Sequence, residues 1–205
     1  MSGACAEGRT LITPALAARL LAMDYSGIPI PGVVEAISID GVQSTIVDWR
    51  GERLLLIRGT NELRDWFRYN FAFTPQIGPG DRFQWHRGFL THAQIAYAFA
   101  KGKGVEIVIG HSLGAAAAGI VAAGLAVAAI TFATPRALFG DKRPEPGEVE
   151  RIRNYCRIDD LVCMVPPALL GFSHLGPVHW LRTKGLHIGE EHGLQHYLGL
   201  LDEIS

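Results

Sequence analysis

The sequence predicts an α/β fold in which a mostly parallel sheet is covered by helices on both faces. Two short apolar runs, Val105 to Ile109 and Val127 to Ala133, read as strands buried on both sides. An Ala-rich stretch beginning at Leu113 lies between them and completes a β-α-β unit. At the turn from the first run into that helix stands Gly110-His111-Ser112-Leu113-Gly114.

The remaining elements follow from local signals. Thr13-Pro14 opens an amphipathic helix carrying Ala15, Leu16, Leu20 and Leu21, which ends before Gly27. Pro29, Pro31 and Gly32 make the next segment a loop. Val42 to Trp49 and Arg53 to Arg58 are β-rich runs separated by Arg50-Gly51-Glu52, the length of a hairpin loop. Glu62 to Phe73 has helical spacing, with Leu63, Trp66 and Phe67 on one face, and Thr74 to Asp81 is a Pro/Gly loop. Gly88 to Ala100 is a further helix. Val149 to Ile158 alternates, with Ile152, Cys156 and Ile158 on one side and Arg151, Arg153 and Arg157 on an exposed other. Val178 to Thr183 is a weaker strand. Leu194, Tyr197, Leu198 and Leu201 form the apolar stripe of a last helix. No linker or repeat interrupts the chain, so residues 1–205 read as one domain.

Composition excludes several function classes. The 205 residues hold 19 Lys+Arg and 20 Asp+Glu with no long block of one sign, which leaves no footprint for nucleic acid. The three cysteines, Cys5, Cys156 and Cys163, lack paired spacing for a metal or dithiol. Met1 to Met23 is broken by Glu7, Arg9, Pro14 and Arg19, unlike a secretory signal, so a cytoplasmic protein is expected. Leu113 to Ala133 is uncharged over about the length of a membrane span. Its residues are mostly Ala and Gly, however, and helix, turn and buried strand explain it better.

The chemistry concentrates at Ser112. A G-x-S-x-G between strand and helix is the setting of a nucleophile elbow, where a serine sits on a sharp strained turn and flanking bulk would collide with neighbouring chain. With seven serines and 24 glycines in 205 residues, about 0.1 such motifs arise by chance. The helix N-terminus makes the Leu113 amide an oxyanion donor. A second donor belongs on a loop after another strand, and Ile57-Arg58-Gly59-Thr60 supplies one through Thr60; the competing reading is a plain loop with Thr60 or Asn61 as a helix cap.

In an α/β-hydrolase fold the order along the chain is serine, acid, histidine. The base is therefore among His174, His179, His187, His192 and His196. His192 leads because it stands in the glycine-bounded loop Gly189 to Gly193, whereas His196 lies away from the apolar stripe of the final helix. Asp159 and Asp160 both end a strand after the serine, and either carboxylate suits the orienting role.

Together these motifs resemble the class 3 lipases, the fungal-type triacylglycerol lipase family, in patches from about Ala15 to Leu201. Ile57 to Thr60 looks like the family's oxyanion segment, Asp65-Trp66 like its following helix, and His86-Arg87-Gly88-Phe89 like its H-x-G-F. Ala133-Thr134-Pro135-Arg136 is similar to its G-S/T-P-R turn. Asp160-Leu161-Val162 with Pro166-Pro167 resembles the acid segment, which selects Asp160. Phe172 to Gly176 looks like a segment with a structural histidine, His174. His192 with Tyr197-Leu198 resembles the H-x4-Y-L of bacterial members. The chain departs from the family at Ile57, where an aromatic is usual, and in its shorter length. The resemblance implies an esterase or lipase with the triad Ser112, Asp160 and His192, an oxyanion hole at Thr60 and Leu113, and no metal or organic cofactor. It also implies a small-molecule ester or lipid substrate, transient contact with a lipid interface, and a lid over Leu63 to Phe73, which as an ordinary core helix would read the same. Acyl transfer or thioester hydrolysis with the same triad, and a silent hydrolase fold used as a binding module, are the competing readings.

Overall fold

Thr13 caps the first helix, α1 (Pro14–Tyr25), by accepting the Leu16 amide on its hydroxyl at 3.2 Å, and Pro14 occupies the first turn, where a missing N–H costs nothing. The computed structural model describes residues 12–59, 74–77, 82–142, 144–183 and 192–202. The expected helix over Glu62 to Phe73, its lid reading, Thr60, His187 and Cys5 lie outside them.

Three antiparallel strands follow: β1 (Val33–Ile39), β2 (Val42–Trp49) and β3 (Glu52–Ile57). Strand β1 is absent from the sequence reading. It is an edge strand exposed on both sides, so it carries no buried alternation, and its only marker is the Asp40-Gly41 turn, with both residues at positive φ. The β2–β3 turn is two residues long, Arg50 and Gly51 at φ 52° and 83°, one residue tighter than the expected loop.

Next come β4 (Pro75–Ile77), β5 (Gln84–His86), α2 (Arg87–Ala100), β6 (Ile107–His111), α3 (Leu113–Leu125) and β7 (Ala128–Phe132). They are followed by β8 (Leu138–Phe139), α4 (Pro146–Val149), β9 (Ile152–Arg157), two 3-10 turns (Leu161–Met164 and Ala168–Leu170), β10 (Phe172–Ser173), β11 (Val178–Leu181) and α5 (Leu194–Asp202). The main sheet has seven strands in the order β1-β2-β3-β6-β7-β9-β11, parallel from β3 onward. A small antiparallel sheet, β10-β8-β5-β4, stands apart from it; strands of two or three residues carry no periodicity to read.

Helices cover both faces of the main sheet. Along β3, Leu54 and Leu56 pack with α1 and α5, while Leu55 and Ile57 pack with α2 and α3. The uncharged stretch Leu113 to Ala133 resolves into α3, a turn at Ala126 and β7. Among the described residues no helix is long and apolar enough to cross a membrane.

One expected pattern fails. Strand β9 exposes only Arg153, and Arg157 is buried at 5% exposure instead of lying on a solvated face. Its charge is matched inside the fold, where its guanidinium donates to both Asp159 oxygens at 3.0 and 2.9 Å and to the His196 carbonyl at 3.2 Å.

Candidate active site

The site forms where the parallel strands end. Ser112 follows β6 at φ 61° and ψ −128°, a conformation rare for a residue with a side chain, and α3 begins at Leu113. The flanking glycines make this turn possible. A Cβ at Gly110 would lie 2.3 Å from the Gly114 carbonyl oxygen, and one at Gly114 would lie 2.4 Å from the Ile57 oxygen and 2.6 Å from the Arg58 oxygen. The elbow is thus pressed against the end of β3. Leu113 holds the first position of α3, whose amide has no acceptor within the helix.

His192 Nε2 lies 2.7 Å from Ser112 Oγ, in position to accept the hydroxyl proton. On the other side of the ring, Nδ1 faces the Asp160 oxygens at 3.0 and 3.2 Å. A carboxylate only accepts, so Nδ1 carries the proton and Nε2 is the basic nitrogen. Two segments, 80 and 32 residues away from His192 in sequence, meet at this ring.

Asp160 is buried and well supplied with donors. The Val162 amide donates to Oδ1 at 3.0 Å and the Tyr197 hydroxyl to Oδ2 at 2.7 Å. Burial pushes the carboxyl up, but the His192 hydrogen bond and charge and the Tyr197 and Val162 donors outweigh it, holding it below the usual carboxylate range. Asp159 points elsewhere, to Arg157 and to the Thr183 hydroxyl at 3.1 Å. Of the two acids, Asp160 is the one whose carboxylate faces the His192 ring.

The other histidines have different partners. His174 donates from Nε2 to the Thr134 carbonyl at 2.9 Å and ties two loops together. His179 is exposed and stacks on Tyr155 with ring centres 5.0 Å apart. His196 sits on α5, where its carbonyl receives Arg157. His111 has a buried ring whose Nε2 is 2.9 Å from the His192 carbonyl oxygen and whose Nδ1 is 3.2 Å from the Tyr25 hydroxyl. Burial foremost, and the nearby His192, lower its pKa to about 3, so the ring is neutral.

Sequence reasoning gave no polar role to Tyr25, His111 or Tyr197. Tyr197 was legible as part of an apolar stripe and of the H-x4-Y-L resemblance, neither of which shows what its hydroxyl bonds to. Gly59, next to Thr60, packs so tightly that a Cβ there would sit 2.8 Å from Ser112 Cβ. The backbone at Gly59 therefore lies against Ser112. Among the described residues no cluster of His, Cys, Asp and Glu could hold a metal ion.

No protein-family model matches this chain, and no curated protein matches it in sequence. Solved structures do. The triacylglyceride lipase of Rhizomucor miehei is 20% identical, with a TM-score of 0.61 over 82% of this chain and 77% of that one. The lipase of Rhizopus microsporus var. chinensis is 19% identical, with a TM-score of 0.62 over 82% and 71%. Lipase II of Rhizopus niveus is 19% identical, with a TM-score of 0.61 over 82% and 78%. The chain has the α/β-hydrolase fold of the fungal triacylglycerol lipases.

Proposed function

We propose that this protein is a serine carboxylic-ester hydrolase, an esterase or lipase acting on acyl esters. The observation that carries the reading is the hydrogen-bonded chain Ser112–His192–Asp160, with the serine on a strained elbow at the N-terminus of α3. One of the solved structures it resembles is a triacylglycerol lipase whose catalytic centre is a serine protease triad.

In this reading His192 Nε2 takes the Ser112 proton as Oγ bonds to the ester carbonyl carbon. The resulting oxyanion is held by the Leu113 amide and by Thr60. His192 then gives the proton to the departing alkoxide, leaving an acyl-serine and a free alcohol. Water attacks the acyl-serine with His192 again as base, releasing the acid and restoring the hydroxyl. Asp160 keeps His192 in one tautomer and stabilises the imidazolium formed at each step. An acyl-chain substrate is supported by the two 3-10 turns after Asp160, where Leu161 in the first and Leu169 in the second are 58% and 89% exposed.

The test is intact-mass labelling with a fluorophosphonate alongside hydrolysis of p-nitrophenyl butyrate and palmitate. Labelling and turnover are expected in the wild type and in His196→Ala, and are expected to vanish in Ser112→Ala and His192→Ala. A folded wild type that takes no label and turns over neither ester would overturn the reading in favour of a binding module. The butyrate-to-palmitate ratio separates a small-ester esterase from a lipase.

A further inference from the structure

A second hydrogen-bonded chain runs behind the reacting atoms, and no step of the proposed reaction uses it. The Gly59 amide donates to the Tyr25 hydroxyl. That hydroxyl lies 3.2 Å from His111 Nδ1, and His111 Nε2 lies 2.9 Å from the carbonyl oxygen of His192. A carbonyl only accepts, so His111 Nε2 carries the ring proton. Nδ1 of a neutral ring then accepts, and its donor is Tyr25. The tyrosine oxygen keeps lone pairs for the Gly59 amide. Every link thus has one direction, from the loop after β3 to the backbone of the base.

Both relay groups keep these protonation states. Burial lowers His111 to about 3 and raises the Tyr25 phenol to about 12. The side chains are also held in place. Arg58 lies 5.0 Å over the Tyr25 ring and donates to the Tyr25 carbonyl at 2.9 Å, which satisfies an orphan acceptor at the end of α1. The His111 ring stacks on His192 at 5.0 Å and meets Tyr25 and Tyr197 edge-on.

We propose that Tyr25 and His111 are positioning residues that tie the loop after β3 to His192, so that the oxyanion donor on that loop and the general base meet Ser112 as one unit. The proposal rests on the hydrolase reading above. Its physical content is a fixed separation. Gly59 already touches Ser112, and the relay pins the one backbone amide that precedes the Thr60 donor. Oxyanion donors act only within a few tenths of an ångström of their working distance, so a loosened loop weakens transition-state binding more than ground-state binding.

The experiment compares wild type, Tyr25→Phe, His111→Leu and the double variant. It measures kcat and KM on p-nitrophenyl butyrate, inhibition by an alkyl boronic acid that forms a tetrahedral adduct on serine, and thermal melting. Each single variant is expected to lose about tenfold in kcat with KM within about twofold, and to bind the boronic acid about tenfold more weakly. The double variant is expected to lose no more than the worse single one, since both break the same chain. An unchanged kcat in Tyr25→Phe, or losses that multiply to about a hundredfold, would overturn the relay. Failure of the hydrolase reading shows separately, as a wild type without label or turnover. In that case the low-field proton resonance of the His192–Asp160 hydrogen bond decides: a shift or broadening in Tyr25→Phe supports the relay, and an identical signal overturns it.

Discussion

Tyr197 donates its hydroxyl to Asp160 Oδ2 at 2.7 Å and accepts the Arg157 amide at 3.3 Å, which joins α5 to the end of β9. The same side chain is fully buried in the apolar cluster beneath α1 and α5. One residue therefore anchors a helix and, second to His192, helps to hold a buried carboxylate in its charged form.

Removing that hydroxyl tests both roles. Tyr197→Phe is expected to lower stability at pH 7 by about 1–2 kcal/mol, since the buried Asp160 loses a donor. Asp160 sits below its unfolded value, so its stabilising contribution is present above roughly pH 3.9 and is lost as pH falls through the folded pKa. The variant raises that folded pKa. The gap between wild type and variant in urea unfolding should hence narrow from pH 7 to pH 3, and a gap that widens contradicts the assignment.

The adjacent acids should separate cleanly. Asp160→Asn is expected to lower kcat by on the order of 10³ to 10⁴ while the protein stays folded, because the amide favours the wrong histidine tautomer. Asp159→Asn uncovers the buried Arg157 guanidinium, whose side chain is 6% exposed, and is expected to cost about 3–5 kcal/mol with far less effect on kcat. Kinetics and melting of the two variants side by side check this. Equal kinetic losses would return Asp159 to candidacy.

These two acids also mark how far the sequence could be read. The elbow, the β-α-β unit around it and the terminal helix were legible because each is a local pattern with a periodicity or a turn constraint. Asp160 and Asp159 are neighbours with the same local signal, and only the direction of a side chain toward His192, 32 residues on, tells them apart. Resemblance to known motifs pointed to Asp160 where spacing alone was silent, and Asp160 is the acid whose carboxylate faces the His192 ring. Arg157 was read as exposed because alternation in a strand cannot reveal that Asp159 waits inside the fold. Strand β1 escaped because an edge strand buries little.

Acid should unfold the protein through its buried histidines. Burial lowers His86 and His92 to about 4 and His111 to about 3, against about 6.5 in an unfolded chain. As pH falls below 6.5 the unfolded state gains these protons and the native state does not, so stability declines toward pH 4. Each histidine contributes up to roughly 1.4 kcal/mol per pH unit. Urea melts at pH 7.5, 6.5, 5.5 and 4.5 should show the fall, and His92→Gln should remove about a third of its slope. A flat profile over that window would contradict neutral buried rings.

Two glycines should respond in opposite ways to alanine. Gly114→Ala puts a methyl against the Ile57 and Arg58 carbonyls and is expected to disrupt both the elbow and the loop after β3, lowering kcat by about a hundredfold or more. Gly199 lies inside α5 with nothing within 4 Å of an added Cβ. Gly199→Ala is expected to raise stability by about 0.5–1 kcal/mol, read as a higher melting temperature at unchanged activity.

Helices α1 and α5 pack on the same sheet face and are joined by Arg19 and Asp202, 183 residues apart in sequence. Tyr25 closes one of these helices, while His192 precedes the other and Tyr197 lies within it. The parallel strands and α3 can pair through nearer neighbours, whereas closing so long a loop is entropically slow. Docking of α1 against α5 is therefore expected to be a late step of refolding, and reactivity of Ser112 toward a phosphonate should reach its full value later than the burial of the central strands.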